Sequence, residues 1–463
     1  MAFTGYAFVL FFFAIVLPLR WLVPPRYAPT VVLVASWGFY LTWGWKVAIL
    51  LAVLTLLTYG AGLLLKRPGA NKRAVLAVSV AVLLGVLATF KYAGFFLSVL
   101  PGARVSVPDL PLPLGISFYV FEMISYVVDV YRGDPGARSL PEFALYVSYF
   151  PHLIAGPIVR ASELLPQLRK KLRFDGARVS EGMFVMLTGF VKKMVLADNL
   201  ATMADAVFKA PHDYNGLEIF AGIAAYTGQI YCDFSGYTDI ARGASSMLGY
   251  DLPENFDYPY LSGSITEFWR RWHMTLSRWL RDYLYIPLGG NRRGGFAQYR
   301  NLFLTMALGG LWHGARMTFV LWGAYHGALL ALHKLFVSST PSERWKEIRG
   351  NDLYRVLAVV VTLLLVMLGW VFFRADSAAS AASLLGRMVT VMPAAGWKPS
   401  RMLSLSGWYL GGVVALHALG ATRIGLRTNR ALPAAARGLL WASMLFVCYW
   451  LASSSPTFIY FYF

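Results

Sequence analysis

The sequence predicts an all-α polytopic membrane protein, and three observations carry that reading. Of the 463 residues, 57% are hydrophobic and 14% charged, whereas a soluble domain carries about a quarter charged residues. Apolar runs such as Val31–Tyr40, Val75–Phe90 and Val356–Phe373 extend with their flanks toward the roughly 20 residues that cross a bilayer. The formal net charge of +19 gathers in short segments between those runs, at Lys66–Arg73, Arg160–Arg178 and Arg270–Arg300. Lys and Arg distributed in this way mark cytoplasmic loops facing anionic lipid headgroups, so membrane lipid, not nucleic acid, is the expected counterpart of the charge.

The elements follow in order. The first run, Phe3–Leu22, lacks the basic start and small-residue cleavage site of a secretory signal and is expected to remain as a membrane helix. Further spans are expected near 30–43, 47–65, 74–99, 112–131, 182–197, 216–232, 302–336 as a hairpin or bent pair, 354–373, 407–424 and 435–456, about 11 transmembrane helices in all. They form one membrane domain over 1–463, with amino-terminal helices in 1–110, a core in 111–336 and carboxy-terminal helices in 337–463. The stretch Phe143–Ile158 is apolar but short and carries Ala-Gly-Pro near its end, which predicts a re-entrant or tilted segment shielded by protein. Basic residues at Arg20 and Arg26, Lys66 to Arg73, and Arg132 and Arg138 alternate with the charge-poor Trp43–Lys46 and Pro101–Leu110. That alternation places the amino terminus in the periplasm, and about eleven crossings would end the chain in the cytoplasm. No internal repeat or low-complexity tail is present. Cys232 and Cys448 stand in apolar surroundings without metal-ligand spacing, so neither a disulfide framework nor a metal site is expected.

Ser262–Arg300 behaves differently, because it holds seven Arg and never gathers a crossing length of apolar residues. On a helical wheel Trp269, Trp272, Leu276, Trp279, Leu280 and Tyr283 form one face, with Arg270, Ser277 and Arg281 on the other and His273 at the border. This predicts an interfacial amphipathic helix over 264–284, its Trp residues at headgroup depth and its guanidinium groups reaching water or phosphate.

Several residues could carry chemistry. His313 lies in GGLWHGAR inside an apolar hairpin, where an imidazole is costly without a task or a partner. Its neutral form can take a proton from an alcohol near pH 7, as acyl transfer from a thioester to a hydroxyl requires. Gly309, Gly310 and Gly314 would let a substrate or another helix approach it. The competing reading is a histidine bonded to a carbonyl among close-packing glycines, and the residues alone leave both open. His326, His333 and His152 read as satisfied structural histidines, and His212 and His417 carry no signal. The Arg270, Ser277, Arg281 face beside His273 could hold a phosphate or carboxylate, or could simply be solvated. In YCDFSGYTD, Asp233, Ser235, Tyr237 and Asp239 form a polar cluster after an apolar run; it reads as the lining of a water-filled cavity in which Asp233 could pair with an Arg. Asn291–Arg293 in GGNRRGG reads as a basic cytoplasmic turn, since it lacks the strand and Lys-Ser/Thr of a phosphate loop.

Longer pieces add a resemblance. PLGISFYVFEMISYVVDVYRG from Pro113, YFPHLIAGPIVR from Tyr149, YCDFSGYTDIA from Tyr231, PENFDYPYLSGSITEFWRRWHMTLSRWLRDYLYIPLGGNRRG from Pro253 and NLFLTMALGGLWHGA from Asn301 resemble membrane-bound O-acyltransferases, most closely the bacterial branch containing the alginate O-acetyltransferase membrane subunit. The match covers about Pro113 to Gly327, and GWVFFRA at Gly369 and the FIYFYF terminus match more loosely. The resemblance implies a ring of helices around a thin centre, with a funnel from each side leading to a narrow tunnel. It places His313 at the family's invariant histidine and His273 at its second characteristic position, and implies His313 as general base with His273 orienting the donor or stabilising charge. Asp233, Ser235, Tyr237, Asn255, Arg270, Arg271, Ser277, Arg281 and Trp312 would line the donor path or the cavity, with the basic helix collecting donor phosphates.

The implied donor is acetyl-CoA, used as a substrate with no bound cofactor. The implied acceptor is an exported polysaccharide, reached directly or through a periplasmic or membrane-anchored acetyltransferase partner, at the bacterial inner membrane. Two other functions compete. D-alanyl transfer to a cell-envelope polymer belongs to a sister branch, though the LYIPLGGNRRG and GGLWHGA wording is closer to the acetylating branch. A glycan transporter or flippase would also fit the helix count, but no inverted repeat with paired broken helices points to alternating access.

Overall fold

Every regular element is helical; no strand occurs among the described residues. The computed structural model describes residues 1–95, 112–292, 294–340 and 343–452, except the side chains of residues 344 and 346. The Pro101–Leu110 loop, the end of the 74–99 span, Arg293 and the FIYFYF terminus lie outside the described residues. Among the described residues six helices are long and apolar enough to cross a membrane: Trp45–Lys66, Lys72–Phe95, Met317–Ser339, Asp352–Arg374, Arg401–Ala421 and Ala434–Leu451. Tyr6–Leu22 and Ala28–Leu41 are shorter apolar helices. The protein is therefore all-helical and multi-pass, with six such spans and two shorter apolar helices among the described residues against the eleven crossings expected.

The chain divides into two compact units, one of residues 1–189 and 237–253, the other of 190–236 and 254–463. In the first, the Ile116–Tyr131 helix is apolar on nearly every face and correspondingly buried, as expected of a helix enclosed by protein. Its Tyr126 packs on Phe143 at 4.4 Å, and elsewhere in the unit Phe3 lies on Phe8 at 4.7 Å and Phe39 on Phe150 at 5.6 Å between centroids. The Phe143–Ile158 stretch forms two short helices, Leu140–Ser148 and Phe150–Leu153, parted at Tyr149. Buried Glu122 anchors it. Its Oε1 lies 3.1 Å from His152 Nδ1 and accepts the Val159 N–H at 3.0 Å. His152 Nε2 is 3.0 Å from the Tyr146 carbonyl, which can only accept, so that nitrogen donates. His152 is thus the satisfied structural histidine its sequence predicts.

In the second unit, Gly295–His313 and Met317–Ser339 form the expected hairpin. The two helices touch backbone to backbone: a Cβ on Gly310 would collide with the Phe319 carbonyl, and one on Gly323 with the Met306 carbonyl. The glycines beside His313 therefore admit a neighbouring helix. Against the hairpin packs a core that includes Phe268, Trp272, Trp322, Trp370 and Phe373.

Several expectations need correcting. The 182–197 and 216–232 spans are parts of longer helical stretches: Gly176–Phe190 continues through a π-helical Val191–Ala197 into Asp198–Lys209, and Gly216–Met247 runs for 32 residues. YCDFSGYTD thus sits inside a helix rather than after one. Asp233 pairs with a lysine, not an arginine: Lys193 Nζ lies 2.7 Å from both Asp233 Oδ1 and Asp198 Oδ1, all of them buried.

The 264–284 helix is also interrupted. Ile265–Arg271 and Met274–Leu280 are separate helices, because Trp272 is extended and His273 takes a left-handed φ of 42°. A wheel drawn across that break rotates the second helix falsely, so Arg270 and Arg271 share no continuous face with Ser277 and Arg281.

Candidate active site

His313 is the last residue of its helix and is 3% exposed. Aromatic rings enclose it: Trp312 at 5.0 Å, Trp322 at 5.1 Å and Phe373 at 5.3 Å between centroids. The fourth neighbour is His273, at 6.4 Å. Two imidazoles 40 positions apart in sequence are therefore adjacent, a relation that spacing alone does not reveal.

His273 is held by the break that corrects the wheel. Asn255 supplies the clamp: its backbone carbonyl accepts the Met274 N–H at 2.9 Å. Its Oδ1 takes the Thr275 N–H at 3.1 Å, the Thr275 hydroxyl at 2.8 Å and the His273 ring at Nδ1, 3.1 Å away. The Thr275 amide can only donate, which identifies the Asn255 atom as the oxygen, and an oxygen without hydrogen forces Nδ1 to carry the proton. In the neutral ring Nε2 is then left as an acceptor, and no atom of the described residues bonds it. Burial holds this imidazole below its ordinary pKa, because the charged form loses its hydration. Phe234 stacks edge-on against the ring at 4.7 Å and Trp312 stands 6.1 Å away.

The remaining expected residues divide. Asn255 and Trp312 join the histidines. Arg270 instead lines a polar cavity of about 810 Å³ with Glu267, Asn291, Gln298, His333 and Lys334, of which Glu267, Gln298 and Lys334 were not singled out in the sequence. The far wall includes Leu302, eleven residues before His313 on the same helix, or about 16 Å at about 1.5 Å per residue. Arg271 pairs with Glu267 at 2.7 Å, Arg281 with Asp282 at 2.7 Å, and Ser277 donates to the Trp272 carbonyl at 3.4 Å. None of these three lines the cavity. Asp233 and Ser235 are buried in the long helix, and Tyr237 belongs to the first unit, where it stacks on Phe3 at 5.7 Å. At this cluster Asp233 is held by the buried ion pair with Lys193.

His333 is satisfied through Thr266 Oγ1, 2.9 Å from its Nδ1. His326 is not: it is fully buried among Phe268, Trp269 and Trp322, and neither ring nitrogen has a hydrogen-bond partner among the described residues. Trp322, Phe373, Gln298 and Lys334 were missed because each reaches the site through tertiary packing with no local motif around it.

The family model described as MBOAT, membrane-bound O-acyltransferase family, matches residues 88–369, which include both histidines and Asn255. The chain belongs to the membrane-bound O-acyltransferase family. It is 44% identical over 399 residues to the probable alginate O-acetylase AlgI of Pseudomonas putida, covering 84% of this chain and 80% of that protein. It is 36% identical over 397 residues to the peptidoglycan O-acetyltransferase of Helicobacter pylori, covering 79% and 74%. With the teichoic acid D-alanyltransferase of Bacillus subtilis it shares 28% identity over 273 residues, covering 56% and 68%. As a membrane-bound O-acyltransferase the protein is a multi-pass membrane enzyme that transfers acyl groups to hydroxyls.

Proposed function

We propose that this acyltransferase moves an acetyl group from acetyl-CoA, on the cytoplasmic side of a bacterial inner membrane, to a cell-envelope polysaccharide such as alginate. The immediate acceptor is a hydroxyl of the glycan or of a periplasmic or membrane-anchored acetyltransferase partner. The observation that carries this reading is the adjacent pair His313 and His273, enclosed by Trp312, Trp322 and Phe373. His313 takes the proton of the attacking hydroxyl as its oxygen bonds to the acyl carbon. The carbon–sulfur bond then breaks, and the proton returns to the departing thiolate. His273, whose free Nε2 is an acceptor, positions a hydroxyl or the neighbouring imidazole by receiving a hydrogen bond. It cannot donate one to an oxyanion in this tautomer.

The polar cavity supports a donor with an anionic end on a long arm. Arg270 and Lys334 suit phosphate, and about 16 Å of helix separates Leu302 from His313. Acetyl is favoured over D-alanyl because the acetyltransferase relatives are more similar, at 44% and 36% identity against 28%.

The test is transfer from labelled acetyl-CoA in proteoliposomes supplied with partner and acceptor. His313→Ala is expected to lower the rate by about two to four orders of magnitude, the usual share of general-base help. An alanine variant working at the normal rate would remove His313 from the mechanism.

A further inference from the structure

Beside the polar cavity, and sharing Glu267 and His333 of its wall, lies a second cavity of about 1050 Å³ between Met317–Ser339 and Asp352–Arg374. Its lining changes along its length. Leu329, Leu332 and Phe336 of the first helix face the cavity together with Leu357, Val361 and Leu365 of the second. Where the chain turns between the helices, the lining becomes Arg349, Tyr354 and Arg355.

The dimensions are those of a lipid leaflet. From Arg355 to Leu365 the helix rises about 15 Å, half of a hydrocarbon core about 30 Å thick, so the trough runs from the headgroup level to the middle of a bilayer. Leu332, Phe336, Leu357 and Val361 stay exposed, which suits acyl chain and not water. Two guanidinium groups stand at the polar end. Arg349 donates from Nε to the Trp345 carbonyl and from Nη2 to the Thr340 carbonyl, each at 3.1 Å; these bonds fix the group without using Nη1. Arg355 meets Asp352 at 3.1 Å, but with side chains 65% and 94% exposed that pair is worth little in water. Glu267 is the remaining acid on the lining and already holds Arg271.

We propose that this trough binds one anionic glycerophospholipid, with its phosphate on Arg349 and Arg355 and an acyl chain along Leu332, Phe336, Leu357 and Val361. The apolar walls commit the site to a lipid, and the two arginines commit it to a net negative headgroup. The assignment is independent of the acetyl-transfer reading.

The experiment is native mass spectrometry of the full-length protein in detergent, titrated with phosphatidylglycerol or phosphatidylcholine, with gel filtration confirming the folded state. Phosphatidylglycerol is expected to bind the wild type more tightly than phosphatidylcholine. Arg349→Gln/Arg355→Gln is expected to weaken phosphatidylglycerol about thirtyfold, at about 1 kcal/mol per basic side chain, whereas Arg349→Lys/Arg355→Lys retains the preference. Ala358→Phe, which fills the trough, is expected to displace both lipids. Equal affinity for the two lipids in the wild type, or undiminished phosphatidylglycerol binding in either the glutamine or the phenylalanine variant, overturns the proposal. So does glycerol phosphate binding as tightly as the whole lipid, since the apolar walls would then contribute nothing.

Discussion

At position 255 one amide oxygen gathers three donors, two from Thr275 and one from His273, and so selects a tautomer at a buried ring. Asn255→Ala removes that acceptor and leaves the Thr275 donors unsatisfied, at about 1–3 kcal/mol for a buried group. A fall in thermal midpoint alone would follow from any structural role. The role assigned to the tautomer predicts more: Asn255→Asp keeps the acceptor geometry but sets a carboxylate beside Nδ1, which raises the imidazole pKa. A ring whose pKa is raised becomes protonated as pH falls through the new value and loses its acceptor at Nε2. The acid limb of the kcat/KM profile is therefore expected to move to higher pH in Asn255→Asp. An unchanged profile would show that the charge of His273 does not matter to the reaction. Lys193 offers a separate test of burial at this scale. Lys193→Met leaves Asp198 and Asp233 without their cation, and breaking such a pair costs about 3–5 kcal/mol. Adding Asp198→Asn and Asp233→Asn to that variant is expected to restore most of the lost thermal stability, and failure of the triple variant to recover would place the cost elsewhere.

The hairpin that ends at His313 shows how an element positions a residue. Its helices approach through Gly310, Gly323 and Gly327, where a Cβ would meet backbone of the opposite helix. Gly323→Ala must push the helices apart, at about 1–3 kcal/mol for overpacking, and the shift falls on the helix carrying His313. Gly386→Ala, in the Ala378–Thr390 helix where nothing stands within 4 Å, is expected to leave activity unchanged and to add the helix preference of Ala over Gly, up to about 1 kcal/mol. Thermal melts and transfer rates of both variants check the contrast, and equal losses would remove the argument from close approach. These elements also show what the sequence could disclose. The hairpin was legible because apolar length and small residues are local signals, and His313 because an imidazole in an apolar run is conspicuous. The break at Trp272 and His273 was not, since a wheel presumes regular backbone and nothing local announces that Asn255 caps the next helix. Lys193 sits 40 positions from Asp233, and Trp322 and Phe373 reach His313 only through packing, so no periodicity could have joined them.

For the whole molecule the governing quantity is the placement of charge across the bilayer. Basic side chains dominate the loop at Lys66, Arg67, Lys72 and Arg73, and Lys334, Arg349 and Arg355 flank the turn after Met317–Ser339. Each basic residue near a helix end resists translocation, so both loops are expected in the cytoplasm, the compartment that would supply the proposed thioester. The turn at Thr42, between Ala28–Leu41 and Trp45–Lys66, is then expected to face the periplasm. Cys232 and Cys448 are buried, so single cysteines introduced on this background report their own positions. In spheroplasts, a membrane-impermeant maleimide is expected to label Thr42→Cys directly, and Pro68→Cys and Glu343→Cys only after lysis. If Glu343→Cys is labelled in sealed cells, the cavity lined by Arg270 and Lys334 opens to the wrong compartment for acetyl-CoA, and the direction of transfer must be reversed or the donor replaced. Labelling of Pro68→Cys in sealed cells, with Glu343→Cys protected, would instead confine the error to the first loops and leave the donor side intact.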